Sequence, residues 1–499
     1  MWLEKRIELI EHDTGADADT AVVDVEIVDL PIVAREIDDQ SFTNRISDGS
    51  RMTRVIALIS EHASPLAILG GTDAGGQNVY VAQVARHLAA AGDFVDIYTR
   101  RDDPALPTTV DWSPGVRVIN VAAGPATRLP KERLLEHMPA FLRWMAQHWA
   151  ANDLRYDLVH ANFFMSGQVA AELRRVSGVP FVVTFHALGK VRRLHQGAAD
   201  TFPPEREHIE TAVMTEADRI IAECPQDEDD LIRLYGADPR RISIVPCGVD
   251  PAEFSPRDKA MARRRLGLPI DEPLILQLGR IVPRKGIDTV IEAVALLQRD
   301  PGSRSRLVVV GGPDRVVTRG SDPELGRLID LAERLEIADL VTFVGRRDRS
   351  ELADYYAAAD VFVSTPWYEP FGITPLEAMA SGTPVIGSNV GGIKYTVRDG
   401  ENGFLVPPRD PAALADRLAH MLGDRRLLAT MGANGLSRVL RAFTWRHVTR
   451  ALSDVYDEVL TEHRLQLAAS IVARSSTPAA AATSERVTSR SGQEAGAAR

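Results

Sequence analysis

Short apolar runs alternate with segments of helical periodicity along most of this chain, and the alternation occurs twice. Strands are predicted at Arg54–Ile59, Phe94–Thr99 and Val116–Val121, and a helix at Val79–Ala91 separates the first two. The same pattern restarts after Pro273. Because strands that alternate with helices and glycine turns build parallel, doubly wound sheets, the sequence predicts two α/β domains in tandem.

The remaining elements follow the same rule. Strands are also predicted at Tyr156–His160, Phe181–Phe185, Arg219–Ala222, Leu274–Leu278, Leu307–Val310, Val341–Val344, Val361–Ser364 and Pro384–Gly387, and helices at Lys131–Ala151, Ser166–Val176, Ile287–Gln298, Ser321–Leu335 and Trp445–Leu460. The length of 499 residues exceeds the roughly 250–300 that one hydrophobic core supports. We predict an acidic extension (1–50), two Rossmann-like domains (51–258 and 259–444), a helix (445–467) and a disordered tail (468–499).

Composition excludes several classes of protein. The net charge of −11 argues against a dedicated nucleic-acid binder, which would carry a basic surface. With only Cys224 and Cys247, the chain has neither a disulfide framework nor a cysteine-rich zinc site. No apolar run reaches the ~18–20 residues that span a bilayer, and the charged N-terminus does not resemble a signal peptide. A cytoplasmic location is therefore expected.

The acidic extension is distinctive. Residues 1–50 hold 13 acidic and 4 basic side chains, and their stretch Ala21–Val33 has high β-propensity. We expect the extension to be partly ordered or disordered. The extension also contains Asp17-Ala18-Asp19, an Asp-x-Asp pattern that can bind a metal ion. We interpret it here as solvated charge.

Glycines gather between the first strand and the first helix, in Gly70–Asn78 (GGTDAGGQN). Glycine lets backbone approach a ligand, and a helix N-terminus offers free N–H groups to an anion. The segment is neither a P-loop nor a GxGxxG fingerprint. A tight turn that needs positive φ is the alternative explanation.

A histidine and three cations follow another strand. His186 stands at the end of Phe181–Phe185, where a parallel sheet presents side chains to a cleft, although a histidine there can also be a satisfied core group. Lys190, Arg192 and Arg193 come next and predict a site for an anionic acceptor, with a solvated surface as the alternative.

The second domain carries two further segments of this kind. After its first strand, Arg280 and Lys285 can converge on one diphosphate, unless they merely form a surface turn. Later, Glu369 precedes a helix that should start near Thr374, and Glu377 lies within it. Backbone N–H groups of Phe371, Gly372 and Ile373 would then form an anion or hydroxyl site, while Glu377 could instead be a first-turn acid that the helix dipole favours.

These segments together resemble one family. Glu369 and Glu377 form the E-x7-E motif of retaining glycosyltransferases of family GT4, and GGTDAGGQNVYV, VTFHALGK, GRIVPRKG and EPFGITPLEAMASGTPVIGSNVGG match it in order. The first domain is most similar to the sucrose-phosphate synthase, sucrose synthase and inositol-phosphate glycosyltransferase branch. The resemblance implies the GT-B fold, in which two Rossmann-like domains face each other across a cleft and a C-terminal helix crosses back.

The resemblance also implies roles. Arg280 and Lys285 would hold the donor diphosphate, Glu377 the ribose, Glu369 the transferred sugar, and His186 would support the transition state near that sugar. His186, Arg280, Lys285 and Glu369 form the implied catalytic set. The implied donor-binding residues are Gly75, Gly76, Arg280, Lys285, Glu369, Phe371, Gly372, Ile373 and Glu377, and the expected acceptor-binding residues are Gln77, Asn78, Lys190, Arg192 and Arg193.

We therefore expect a metal-independent, cofactor-free hexosyltransferase that uses a nucleotide-diphospho-sugar. UDP-glucose is the favoured donor, with GDP-mannose and UDP-N-acetylglucosamine open, and a small hydroxylated molecule, such as a sugar phosphate or inositol phosphate, is the expected acceptor. A nucleotide-sugar epimerase of the same fold and a non-catalytic sugar-nucleotide sensor are the alternatives. A dehydrogenase lacks its GxGxxG here, and a lipid acceptor lacks a basic amphipathic helix to support it.

Overall fold

The computed structural model describes residues 53–67, 75–299 and 304–475. The acidic extension, the first part of the glycine segment (Gly70–Ala74) and the tail after residue 475 lie outside the described residues. Within the described residues, no helix combines the length and apolar composition needed to cross a bilayer.

The first domain is built on an eight-stranded sheet of order β3-β4-β2-β1-β5-β6-β7-β8. Its strands are β1 (Val55–Ile59), β2 (Phe94–Arg100), β3 (Thr109–Ser113), β4 (Val116–Val121), β5 (Leu158–Asn162), β6 (Phe181–Thr184), β7 (Arg219–Ala222) and β8 (Ile242–Ile244). All neighbours pair in parallel except β3, which runs antiparallel to β4 at the edge. The central strands are almost fully buried because helices cover both faces of the sheet.

Seven helices accompany this sheet and the passage to the second domain in the described chain. They are α1 (Gly76–Ala90), α2 (Met138–Ala151), α3 (Phe164–Ser177), α4 (Gly189–Gln196), α5 (Arg206–Glu216), α6 (Pro225–Tyr235) and α7 (Lys259–Leu266). The predicted long helix from Lys131 was wrong in its first part: two single 3-10 turns precede α2. Pro139 explains the start of α2, because proline fits only the first turn of a helix.

The second domain contains a six-stranded, all-parallel sheet of order β11-β10-β9-β12-β13-β14. Its strands are β9 (Leu274–Leu278), β10 (Arg306–Val310), β11 (Val341–Gly345), β12 (Val361–Ser364), β13 (Val385–Ser388) and β14 (Gly403–Val406). Its helices are α8 (Ile287–Leu297), α9 (Pro323–Arg334), α10 (Arg349–Ala358), α11 (Ile373–Ala380), α12 (Ile393–Thr396), α13 (Pro411–Leu422) and α14 (Arg425–Ala442). The predicted tandem of parallel α/β domains is confirmed.

The last helix, α15 (Trp445–Ser475), returns to the first domain and extends past its predicted end at residue 467. Tyr456 Oη lies 2.6 Å from Nδ1 of the buried His160 in β5. The guanidinium of Arg54, at the start of β1, donates to the Ser453 carbonyl oxygen at 3.1 Å and to Asp457 at 3.0 Å. The C-terminal end of the chain therefore completes the surface of the N-terminal domain.

The two crossings between the domains lie side by side. Val249, on the first crossing, accepts a hydrogen bond from the Trp445 amide at 3.2 Å, and its own amide donates to the Phe443 carbonyl at 2.8 Å. A Cβ on the neighbouring Gly248 would stand 2.9 Å from the Trp445 backbone nitrogen. This close backbone contact requires glycine and joins the domains at one point.

Candidate active site

The segments singled out in the sequence lie at the carboxyl ends of strands from both sheets. His186 follows β6, Arg280 follows β9 and Glu369 follows β12. Open α/β sheets bind their ligands at this edge, and here the edges of two sheets face each other. A cleft between the domains is consequently the candidate active site.

The described end of the glycine segment touches the second domain. A Cβ built on Gly75 would lie 3.8 Å from Arg280 Nε, and one built on Gly76 would lie 3.6 Å from the Ile373 side chain. Side chains larger than glycine would therefore fill the space that separates the two domains here.

The two amide side chains that follow hold this loop in place. Asn78 Oδ1 accepts from the Gly75 amide at 2.9 Å, and its Nδ2 donates to the Ser64 carbonyl at 2.9 Å. Gln77 donates to the Asn162 carbonyl at 3.2 Å. The structure thus shows loop-building contacts for both residues, and their predicted role in acceptor binding stays a prediction.

Positive charge converges on Glu369. Lys285 Nζ forms an ion pair with Glu369 Oε2, and Arg284 Nη1 lies 3.4 Å from the same oxygen. Burial, helped by the charges of Arg284 and Arg280, lowers the pKa of Lys285 to about 8 against the opposing effect of Glu369. Burial would raise the pKa of Glu369, but the attraction of Lys285 and Arg284 prevails and lowers it to about 2. Sequence reasoning did not assign Arg284 to this cluster.

Glu377 is buried and fully paired inside the second domain. Its Oε1 accepts from Arg349 Nη1 at 2.8 Å and its Oε2 from the Tyr356 hydroxyl at 2.7 Å. Because α11 begins at Ile373, Glu377 is the fifth residue of the helix, so the alternative of a first-turn acid is wrong. Its implied contact with ribose stays a prediction, and Arg349 and Tyr356 are partners that the sequence pattern did not reveal.

The start of α11 depends on a second pair of glycines. Gly372 caps the helix with φ of 94°, and Phe371 before it is buried. A Cβ on Gly391 would stand 1.7 Å from the Glu369 carbonyl oxygen, and one on Gly392 would stand 2.4 Å from Phe371 Cα. Gly391-Gly392 therefore lets the backbone of residues 369–371 pack closely. The glycine pair was visible in the sequence but had no assigned role.

His186 is held at both ends of its ring. Nδ1 lies 3.0 Å from Glu223 Oε1 and Nε2 lies 3.0 Å from Asn162 Oδ1. The ring also meets the edge of Tyr80, with centroids 4.8 Å apart. Glu223 and Asn162 were not identified from the sequence, because they become neighbours of His186 only when β5, β6 and β7 align.

The three cations on α4 bind other protein groups. Lys190 Nζ donates to the Leu234 carbonyl at 2.8 Å, Arg192 donates to Asp200 at 2.6 Å, and Arg193 pairs with Glu207 at 2.7 Å. Their predicted contact with an anionic acceptor stays a prediction. Any such acceptor would have to compete with these partners.

A cavity of about 340 Å³ opens between the domains beside Glu369. Val191, Leu194 and His195 of α4 line one wall, and Trp367 and Tyr368 line the other. Thus α4 turns its apolar side and His195 toward the cavity, whereas its three cations bind elsewhere. In the described part of the chain, no three His, Cys, Asp or Glu side chains are grouped as metal ligands would be.

Two parallel-sheet domains that face each other, with a final helix returning to the first, define the GT-B class of glycosyltransferase. The chain belongs to glycosyltransferase family 4: the model of Glycosyltransferase Family 4 matches residues 74–253, and that of Glycosyl transferases group 1 matches residues 258–438. The family expected from the sequence motifs is therefore confirmed.

Similar proteins support this assignment along most of the chain. A D-inositol 3-phosphate glycosyltransferase of Acidothermus cellulolyticus is 42% identical over 416 residues, which cover 82% of this chain and 92% of the relative. A D-inositol 3-phosphate glycosyltransferase of Corynebacterium diphtheriae is 37% identical, and the alignment covers 82% of this chain and 95% of that relative. Among solved structures, a sucrose-phosphate synthase from Thermosynechococcus elongatus has a TM-score of 0.75 at 39% identity, covering 82% of this chain and all of that one.

Proposed function

We propose that this chain is a retaining hexosyltransferase that moves glucose from UDP-glucose to a small hydroxylated acceptor bearing a phosphate, such as a sugar phosphate or an inositol phosphate. The transfer needs a cation-rich pocket for the donor diphosphate in the second domain and an acceptor surface in the first. Both domains match glycosyltransferase models, which supports a transferase over an epimerase or a sensor.

The observation that carries the proposal is the cluster of Lys285 and Arg284 on Glu369, with Arg280 facing Gly75. Lys285 is mostly buried, with its side chain 17% exposed, and a buried cation strongly attracts an anion that enters the cleft. A departing diphosphate is stabilised by such charge and by the N–H groups at the start of α11. These groups supply positive charge without a metal ion, which supports metal-independent transfer.

The names of the relatives support the acceptor class. The two relatives are named for an inositol phosphate, and the solved neighbour for the phosphate ester of a disaccharide. His186 belongs to the first domain and Glu369 to the second, which supports a transfer of the sugar between these two side chains. The leaving diphosphate would help deprotonate the acceptor on the same face, which retains the anomeric configuration.

A screen of donors against acceptors with product identification by mass tests this function. We expect UDP-glucose to give the fastest transfer, with inositol phosphates or sugar phosphates preferred over their unphosphorylated forms. Lys285→Ala should abolish turnover, because it removes a cation that neutralises the leaving group. Lys259→Ala, at a cation that pairs with Asp360 outside the site, is the matched control and should keep activity. Release of free sugar or an epimer without transfer in every combination would contradict the proposal.

A further inference from the structure

His186 occupies a strained backbone position at the centre of the site. Its φ is +57°, in the left-handed region that only a few per cent of residues other than glycine adopt, histidine more often than most. The turn is closed by a hydrogen bond of 2.7 Å from the Ala187 amide to the Phe185 carbonyl. A backbone in this region is unfavourable for a residue with a side chain and persists only where the surroundings hold the residue in place.

The surroundings hold His186 mainly through its ring. Asn162 Nδ2 donates to the carbonyls of Ile59 and His160, both at 3.3 Å, which directs Asn162 Oδ1 toward His186 Nε2. The opposite nitrogen, Nδ1, faces Glu223 at 3.0 Å. An oxygen therefore faces each ring nitrogen, and rotation about χ2 would remove both contacts.

Of the two residues that face the ring nitrogens of His186, Glu223 is the more important for holding the ring. Its side chain is 4% exposed, and a buried carboxylate is costly unless it is paired. His186 Nδ1 lies 3.0 Å from Glu223 Oε1, and Cys247 Sγ donates to the same oxygen at 3.1 Å. The adjacent Cys224 contacts the carbonyl of Pro370, next to Glu369, so this carboxylate lies close to the donor side of the cleft.

We propose that Glu223 is a positioning residue for sugar transfer: its carboxylate fixes the ring of His186, so that the strained histidine keeps its place between donor and acceptor. The inference rests on the proposed function for the role of His186. Glu223 itself acts through the histidine and not on the substrate.

Steady-state kinetics of Glu223→Ala and Glu223→Gln test the inference. Without the carboxylate, the histidine is misplaced, and a misplacement of about 1 Å can cost on the order of 100-fold. We expect Glu223→Ala to lower kcat by about 10- to 100-fold with the donor KM changed less than about threefold. Glu223→Gln, whose side-chain amide can still form a hydrogen bond with Nδ1, should recover part of kcat. Cys247→Ala removes only the second donor to Oε1 and should stay within about twofold of the parent enzyme.

A second readout does not depend on transferase activity. In protein labelled with ¹⁵N-histidine, the ring signals of His186, assigned by their loss in His186→Ala, should move in Glu223→Ala and stay in Cys247→Ala. Unchanged ring signals, or kcat of Glu223→Ala within about twofold of the parent, would overturn the positioning role. Failure of the parent protein to transfer any sugar would instead overturn the proposed function, and the ring signals would still decide whether Glu223 holds His186.

Discussion

At the scale of single residues, Lys285 combines two opposing influences. Glu369 stabilises the charged lysine, whereas burial and the neighbouring Arg284 and Arg280 destabilise it. The balance lowers the pKa of Lys285 to about 8, much closer to neutral pH than that of an ordinary lysine. A group with its pKa near the operating pH makes anion binding sensitive to pH.

The first prediction concerns the pH dependence of donor use. Lysine is charged below its pKa, so Lys285 loses its charge as the pH rises through about 8. We expect kcat/KM for the donor, which reports groups of the free enzyme, to fall above that pH. Lys285→Arg keeps its charge at any accessible pH and should move this fall upward. The same alkaline fall in Lys285→Arg would show that another group causes it.

The sequence identified the residues whose chemistry and strand-end position are both visible in one segment. Lys285, Glu369 and His186 belong to this group, and each lies in a segment that follows the carboxyl end of a strand. Partners such as Glu223 could not be predicted, because His186 and Glu223 stand 37 residues apart and meet only through the pairing of β6 with β7. The charge of Arg192 likewise gave no sign in the sequence that this side chain binds Asp200.

At the scale of secondary-structure elements, buried strands were the best predicted feature. Arg219–Ala222, Leu274–Leu278 and Val361–Ser364 have the predicted bounds, because a parallel strand covered on both faces is a near-continuous apolar run. Strands at the edge of a sheet lack such a continuous series of apolar residues. The antiparallel β3, which is mostly half-exposed, was not predicted for this reason.

The second prediction concerns the loop that supports α11. Gly391→Ala would place a methyl group 1.7 Å from the Glu369 carbonyl oxygen, so the loop must shift and carry Glu369 with it. We expect a clear loss of donor affinity together with a destabilisation of about 2–3 kcal/mol. Equilibrium unfolding and UDP titration measure the two effects.

Gly400→Ala is the matched control for this change. Gly400 also has positive φ, at +76°, but a Cβ there meets nothing within 4 Å. It should cost about 1–2 kcal/mol from backbone strain and leave UDP affinity unchanged. Equal losses of affinity in both variants would show that general destabilisation, and not the position of Glu369, controls binding.

At the scale of the whole molecule, the domains are joined by the paired crossings and by α15. The buried Arg54 is central to that arrangement, since it pairs with Asp93 at 2.7 Å and reaches Ser453 and Asp457 on α15. The sequence predicted a helix that crosses back, but its pairing with Arg54 involves residues almost 400 positions apart. Contacts of that separation leave no local pattern in a single sequence.

The third prediction compares the two ion pairs of Arg54, with Asp93 and with Asp457 on α15. Asp93→Ala removes the buried carboxylate that balances the charge of the buried Arg54 guanidinium. Breaking a buried ion pair typically costs about 3–5 kcal/mol of stability. Asp457→Ala removes a carboxylate that is 53% exposed, and such pairs contribute at most about 1 kcal/mol. Urea unfolding followed by tryptophan fluorescence should therefore shift far more for Asp93→Ala. Similar shifts for both variants would contradict the importance of the buried pair.

The return of α15 has a consequence for how the protein is made. Ribosomes release the chain from its N-terminus, and early domains generally begin to fold during synthesis. Here the partners of Arg54 and His160 on the last helix are translated only after the entire second domain. The nascent first domain keeps polar and apolar groups uncovered until α15 has been translated, and chaperones would bind it most readily during that interval.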